Sequence, residues 1–538
     1  MKFTILGSIL ISIVGMSYNS IWSQIAISKE EYQKRRVALR QSMPENSVAV
    51  FFSSPIRNRA NDVDYPYHPD PSLNYLSGWK EPHAVLMIFK NPQQDSLGSF
   101  SEQLYVREKN AYEELWNGGI VGVDAAQEAS GVERVLDRST FKTSKLNLDA
   151  FDTVLIYEFT NDVRDNKYDK NDLYDLQAYF KTKIHYPSKF DATRYRLYQK
   201  IRTVEPENIS ILQSEISRWV NRNPSLNDDA LLQDFLKLPK GGQEEELKMQ
   251  SAFLVREMNF DVDRLPKLMA SLREQKSLTE IQLLKKAVAI SVAGQIEVMK
   301  AMHPDMSERE IQGIHEFVYK KFGAAHVGYP SIVGAGANAC VLHYSHNELP
   351  EVENQMVLMD LGAEYKGYTA DVTRTIPANG KFSKAQRQLY EVVYRAQEKA
   401  IQAARIGTSF KKITETAYSE VQQGLLDLGI IKEASEFRRY LPHGVSHHIG
   451  LDVHDPGQYK SLEENMVITI EPGIYIPKNS PCDPKWWNIG IRIEDDILIT
   501  KNGPDNLSAA APRLWSDIEA MMQQKSPLDD WELPEIEN

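Results

Sequence analysis

The chain has 538 residues and a net charge of −12. Its length predicts two or three domains, and its apolar and charged fractions are those of a soluble globular protein. No basic run is long enough to make nucleic acid a partner. Two cysteines, Cys340 and Cys482, imply no disulfide framework; they could pair or stay free.

The first 24 residues, MKFTILGSILISIVGMSYNSIWSQ, read differently from the rest. Lys2 precedes an apolar stretch of about 14 residues, then small and polar ones. That is too short to span a bilayer and fits a secretory signal peptide cleaved near Ser23 or Gln24. The mature chain is expected in the periplasm or outside the cell. No other window is apolar enough to anchor it in a membrane.

Residues 25–190 alternate β-prone runs, such as SVAVFF and AVLMIF, with polar or helical stretches, which predicts an α/β domain. Residues 191–268 predict a helical linker or insertion, interrupted by a loop at 238–246. Ser277 and Glu280 form a capping-box signature at the start of a long amphipathic helix, and SEREIQGIHEFVYKKFGA predicts a second. After Gly328, β-prone runs are expected as far as YSEVQQGLLDLG. The second domain is taken as residues 269–520, with an acidic tail at 521–538.

Chemistry-bearing residues concentrate in that second domain. MDLGAEYKGYTADVTRT predicts a hairpin. A turn centred between Tyr365 and Lys366 pairs Asp360 directly with Asp371, with Cβ atoms ~5 Å apart. Like charges so placed are destabilising unless a divalent cation or a shared proton neutralises them. A turn of odd length would instead leave one aspartate in solvent. LPHGVSHHIGLDVHDPG holds His443, His447, His448 and His454, and imidazole is a common transition-metal ligand. Glu471 ends an apolar run before Pro472-Gly473, where a buried carboxylate needs a partner or a metal. In IGIRIEDDILIT, Arg492 and Glu494 share one strand face, opposite the isoleucines. His343 follows a Gly-rich loop. Two Asp, two Glu and one His form a typical donor set for two divalent ions that activate water.

The order VLMDLGAEYKGYTADVTRT, HGVSHHIGLDVHD, TIEPGIY, GIRIEDD resembles the pita-bread metallopeptidases, most closely the aminopeptidase P family. NDVDYPYHPDPSLNYLSGWKEPHAVLMIF and REKNAYEELWNGGIVG are similar to that family's N-terminal domain. The resemblance implies an α/β N-terminal domain followed by an α+β pita-bread catalytic domain. It implies a dimetal site held by Asp360, Asp371, His447, Glu471 and Glu494, with Asp371 and Glu494 bridging both ions. Glu471 would also move the proton of the bridging hydroxide. His343 and His454 would contact substrate and the tetrahedral intermediate. His443 and Arg492 would be further active-site groups, and Tyr475 would lie beside the substrate. His448 falls where the family carries other residues and is left out.

The implied activity is cleavage between an N-terminal residue and a following proline in peptides. Mn²⁺ is the favoured metal, with Zn²⁺ or Co²⁺ as alternatives, and a homo-oligomer, dimer or tetramer, is expected. A prolidase with the same metals is the main alternative, and a non-catalytic binding protein on the same fold the remote one.

Overall fold

The computed structural model describes residues 25–96, 98–144, 147–159, 164, 169–239, 244–256 and 258–530. The expected signal peptide at 1–24 and the end of the acidic tail, 531–538, lie outside the described residues. The chain forms two compact units, Ser28–Met269 and the residues from Ala270 onward, with residues 25–27 belonging to the latter.

The first unit is built on a six-stranded mixed sheet. Its order is Arg134–Asp137, Gly98–Val106, Val85–Asp95, Ser47–Phe52, Thr153–Leu155, Phe260–Asp261. Val48, Val50, Val85, Met87 and Phe89 alternate along two neighbouring strands and pack with Phe180 and Phe260. The segment expected as a linker or insertion is helical. Its helices Ala192–Thr203, Ile209–Arg222 and Ala230–Lys237 bury Leu197, Ile201, Ile216, Leu232 and Phe235 in a core of their own. The chain then returns to the sheet edge at Phe260–Asp261, so this segment belongs to the same unit.

In the second unit the helix Leu278–Ala301 begins with the expected capping box of Ser277 and Glu280. Helix Glu308–Lys321 follows, capped by Ser307. The strands Ile332–Ala335, Met356–Leu361 and Val372–Pro377 form one sheet, and Val467–Ile470, Asp495–Thr500 and Gly503–Asn506 another. The β-prone reading between Gly328 and residue 418 needs two corrections, since helix Phe410–Asp427 already begins inside that range. Lys384–Ala403 is a 20-residue helix with a second capping box, Ser383 with Gln386. The cysteines are free. No helix among the described residues is long and apolar enough to cross a membrane.

The hairpin register also differs from expectation. The turn is centred one residue later, at Lys366-Gly367, with φ of 54° and 92°. Both residues take the left-handed conformation that a two-residue hairpin turn demands, and Gly367 adopts it without strain. Asp360 therefore pairs with Thr373, and Asp371 lies opposite Gly362. Moving the turn by one residue shifts each pairing by two, so the two aspartates stay on one face as diagonal neighbours. Gly362 is required there, because a Cβ would meet Ala370 O at 1.8 Å.

Arg374 ties the two sheets together. It is fully buried and donates to Thr373 O, Glu494 O, Asp495 Oδ1, Ala511 O and Pro512 O at 2.7–3.1 Å. Removing one partner of a fully buried ion pair strands the other. Arg374→Met should lower the unfolding free energy of this unit by about 3–5 kcal/mol, read as a lower denaturant midpoint; an unchanged midpoint would contradict this role.

Candidate active site

The candidate residues meet where strands end. Asp360 lies near the end of Met356–Leu361, and Asp371 directly before Val372–Pro377. Glu471 follows Val467–Ile470, and Glu494 lies between Ile489–Arg492 and Asp495–Thr500. Side chains at ladder ends can turn toward one point without breaking a sheet.

Tyr329 Oη lies 2.6 Å from both Asp360 Oδ1 and Asp371 Oδ1. Thr373 Oγ1 donates to Glu494 Oε2 at 2.6 Å. His447 Nε2 is 3.5 Å from Asp371 Oδ2 and 3.6 Å from Glu471 Oε1. Ligand atoms of Asp371, His447 and Glu494 all lie within 4.8 Å of one another.

These acids repel each other. Burial pushes Asp371 well above the usual carboxylate range, with the charges of Asp360 and Asp496 adding to it. Burial does the same to Glu494, reinforced by Asp371 and Glu471. Glu471 is raised by burial to about 7, against the opposing pull of His447 and Arg492. Burial would raise Asp360 too, but the charge and hydrogen bond of Arg492, with the hydrogen bonds of Tyr329 and Asp371, together outweigh it and hold Asp360 below the usual range. Arg492 Nη2 donates to Asp360 Oδ2 at 2.5 Å.

A hydrogen-bonded chain runs outward from Arg492. Its Nη1 donates to Tyr475 Oη at 2.9 Å, and Tyr475 lies 2.9 Å from His443 Nε2. His443 Nδ1 points at Gly444 O, so Nε2 is free to accept from the tyrosine. Burial pushes His443 down to about 4, which keeps it neutral. His454 packs edge-on to His447, ring centres 4.5 Å apart. His343 is exposed and close enough to act electrostatically on both His443 and His454. His448, omitted from the expected set, is fully buried between Phe410 and Tyr459. All other expected residues gather in one site, with His343 at its exposed edge.

Sequence reading missed three neighbours. Tyr329 lies 31 residues before Asp360, and no local pattern announces it. Thr373 links Arg492 to Glu494. Asp496 accepts from Asp371 N at 3.0 Å and is raised by burial to about 8. Its place in the EDD triplet was the available signal.

The donor set fits divalent cations. Buried Glu494 Oε1 has no hydrogen-bond partner among the described residues. His447 Nδ1 points at His448 O at 3.0 Å, so the Nε2 lone pair faces two carboxylates. Lone pair against carboxylate is repulsive unless a cation lies between.

Residues 282–501 match metallopeptidase family M24, and residues 32–150 match the aminopeptidase P N-terminal domain. The chain is 31% identical to Xaa-Pro aminopeptidase of Escherichia coli over 508 residues, covering 92% of this chain and 98% of that protein. Its identity to Xaa-Pro aminopeptidase of Haemophilus influenzae is 32% over 510 residues, with the same two coverages. The solved structure of E. coli aminopeptidase P with the inhibitor Pro-Leu superposes with a TM-score of 0.70 at 30% identity, covering 92% of this chain and 98% of that one. The expected α/β N-terminal domain and pita-bread catalytic domain are the folds found, and the chain belongs to metallopeptidase family M24.

Proposed function

We propose that this chain is an aminopeptidase that hydrolyses the bond between an N-terminal residue and a following proline, with two divalent ions, Mn²⁺ by preference, as cofactor. The convergence of buried carboxylates on the outward lone pair of His447 carries the reading. The names of the Escherichia coli and Haemophilus influenzae relatives support its substrate class. They do not favour the prolidase alternative, and the complete donor set speaks against a non-catalytic binding protein.

Asp371 and Glu494 would be shared by both ions, Asp360 would hold one, and His447 and Glu471 the other. An oxygen-rich set with one imidazole suits Mn²⁺. When bound, such a pair supplies Lewis acidity and a nucleophile from water at neutral pH. The chain's own groups do the rest. Glu471 takes up a proton at a carboxylate oxygen as water attacks. Breaking the bond turns the proline imide nitrogen into a secondary amine, and Glu471 returns the proton there. His343 and His454 offer ring N–H donors to the substrate carbonyls and the developing oxyanion. Arg492 keeps Asp360 ionised, and Tyr475 carries that orientation to His443. The leader-like N-terminus supports export to the periplasm or the medium. Assembly as a dimer or tetramer follows from the resemblance alone.

The direct test gives the purified chain Ala-Pro-Ala-Ala and Ala-Pro side by side with added Mn²⁺. Alanine should be released mainly from the longer peptide; release from the dipeptide alone would support a prolidase. Glu471→Gln should lower kcat about 10²–10⁴-fold, and a variant of undiminished rate would remove Glu471 from proton transfer.

The raised acids also set a pH dependence. Glu471 titrates near 4.5 unfolded and about 7 folded, so between these values the folded chain holds more protons. Metal-free stability must then fall as pH rises through that window. Asp371, Glu494 and Asp496 act in the same direction. The metal-free chain should melt lower at about pH 7 than at about pH 5, and Mn²⁺ should raise the melting temperature more at the higher pH. A melting temperature that rises with pH without metal would contradict the raised acids.

A further inference from the structure

Two buried glutamines occupy corresponding places behind the site. Gln295 lies on helix Leu278–Ala301 and Gln397 on helix Lys384–Ala403, and both are fully buried. Gln295 Nε2 donates to Met359 O at 3.1 Å and Val372 O at 2.8 Å. Met359 directly precedes Asp360, and Val372 directly follows Asp371. Gln397 Nε2 lies within hydrogen-bond distance of Ile470 O at 3.0 Å, Ile493 O at 3.1 Å and Asp495 Oδ2 at 3.0 Å. Ile470 directly precedes Glu471, and Ile493 directly precedes Glu494. Each amide therefore joins two strands within one residue of two carboxylates.

The placement answers a mechanical need. The first pairing ladder is continuous only as far as Leu361 opposite Val372, and the second ends at Ile470 opposite Asp495. Asp371, Glu471 and Glu494 lie beyond those ends, where repulsion pushes the carboxylates apart. An uncharged amide has two N–H donors; at Gln295 each serves one strand, and at Gln397 they are shared among two backbone carbonyls and the Asp495 carboxylate. A lysine or arginine would add charge beside the cluster, and an aliphatic side chain would leave buried carbonyls unpaired. Gln397 is itself fixed, because its Oε1 accepts from Arg513 Nη1 at 2.9 Å.

We propose that Gln295 and Gln397 are positioning residues, one per long helix, that lock the two carboxylate pairs at the spacing a dinuclear metal site requires. The inference rests on the dimetal reading above. Mn²⁺ titration calorimetry on the chelator-treated full chain tests it, with Gln295→Met and Gln397→Met as variants. Leu425→Ala is the control, because Leu425 is buried in helix Phe410–Asp427, away from these strand ends. Each methionine variant, folded by circular dichroism, should bind Mn²⁺ about 10–100-fold more weakly, while the control keeps wild-type affinity. Gln→Glu variants whose Mn²⁺ affinity, taken relative to wild type at the same pH, recovers as pH falls and a protonated carboxyl regains one donor would support the same role.

Wild-type affinity in the folded methionine variants would overturn the inference. So would an equal loss in the control, or a failure of every glutamine variant to fold, since the amides would then serve only the fold. A wild-type chain that binds no Mn²⁺ would overturn the dimetal reading itself, an outcome distinct from the others.

Discussion

Four carboxylates held together away from water repel one another strongly, because the low dielectric that surrounds them screens little. Asp360, Asp371 and Glu494 are buried and Glu471 is half-buried beside them, and the protein offsets their repulsion only in part. Arg492 offsets the charge of Asp360. Tyr329 has one hydrogen for two aspartates. Glu494 keeps one oxygen without a partner among the described residues. The remaining repulsion shows in the raised proton affinity of three of the four acids. Protons can neutralise it in acid, and divalent cations can do so at neutral pH.

Much of the surrounding unit resists that repulsion. Arg374 joins the two sheets through the backbone of Thr373 and Glu494. Asp495, its fully buried partner, is held further by Ser508 and Arg513. The two long helices press polar side chains, rather than only apolar ones, against the strand ends. A site that must hold like charges close together before its cations arrive needs such rigid support. The neutral His443, tied through Tyr475 to Arg492, extends the same order outward from the cluster.

The clustering of these acids with His447 was legible because they lie in short motifs at the ends of apolar runs. The hairpin face was legible for the same reason, although its register was not. Lys366 entering the left-handed region moved the turn by one residue, and only Gly367 advertised a turn there. Helix Lys384–Ala403 carried a readable capping box that the β-prone runs before it obscured. Tyr329, Gln295 and Gln397 were not legible as neighbours of the site. Their partners lie 31 to 116 residues away, and a glutamine on a helix looks like any surface residue until the packing is known. Asp496 was in view, but sequence could not tell which acid of the EDD triplet faces the cluster and which pairs with Arg374.

The central claim is that this acid cluster is a site for two cations. The most direct measurement is anomalous diffraction at the manganese edge from crystals grown with Mn²⁺. Two peaks about 3.5–4 Å apart, flanked by Asp371 and Glu494, are the result the account predicts. A full-occupancy peak elsewhere, with none between these carboxylates, would contradict it.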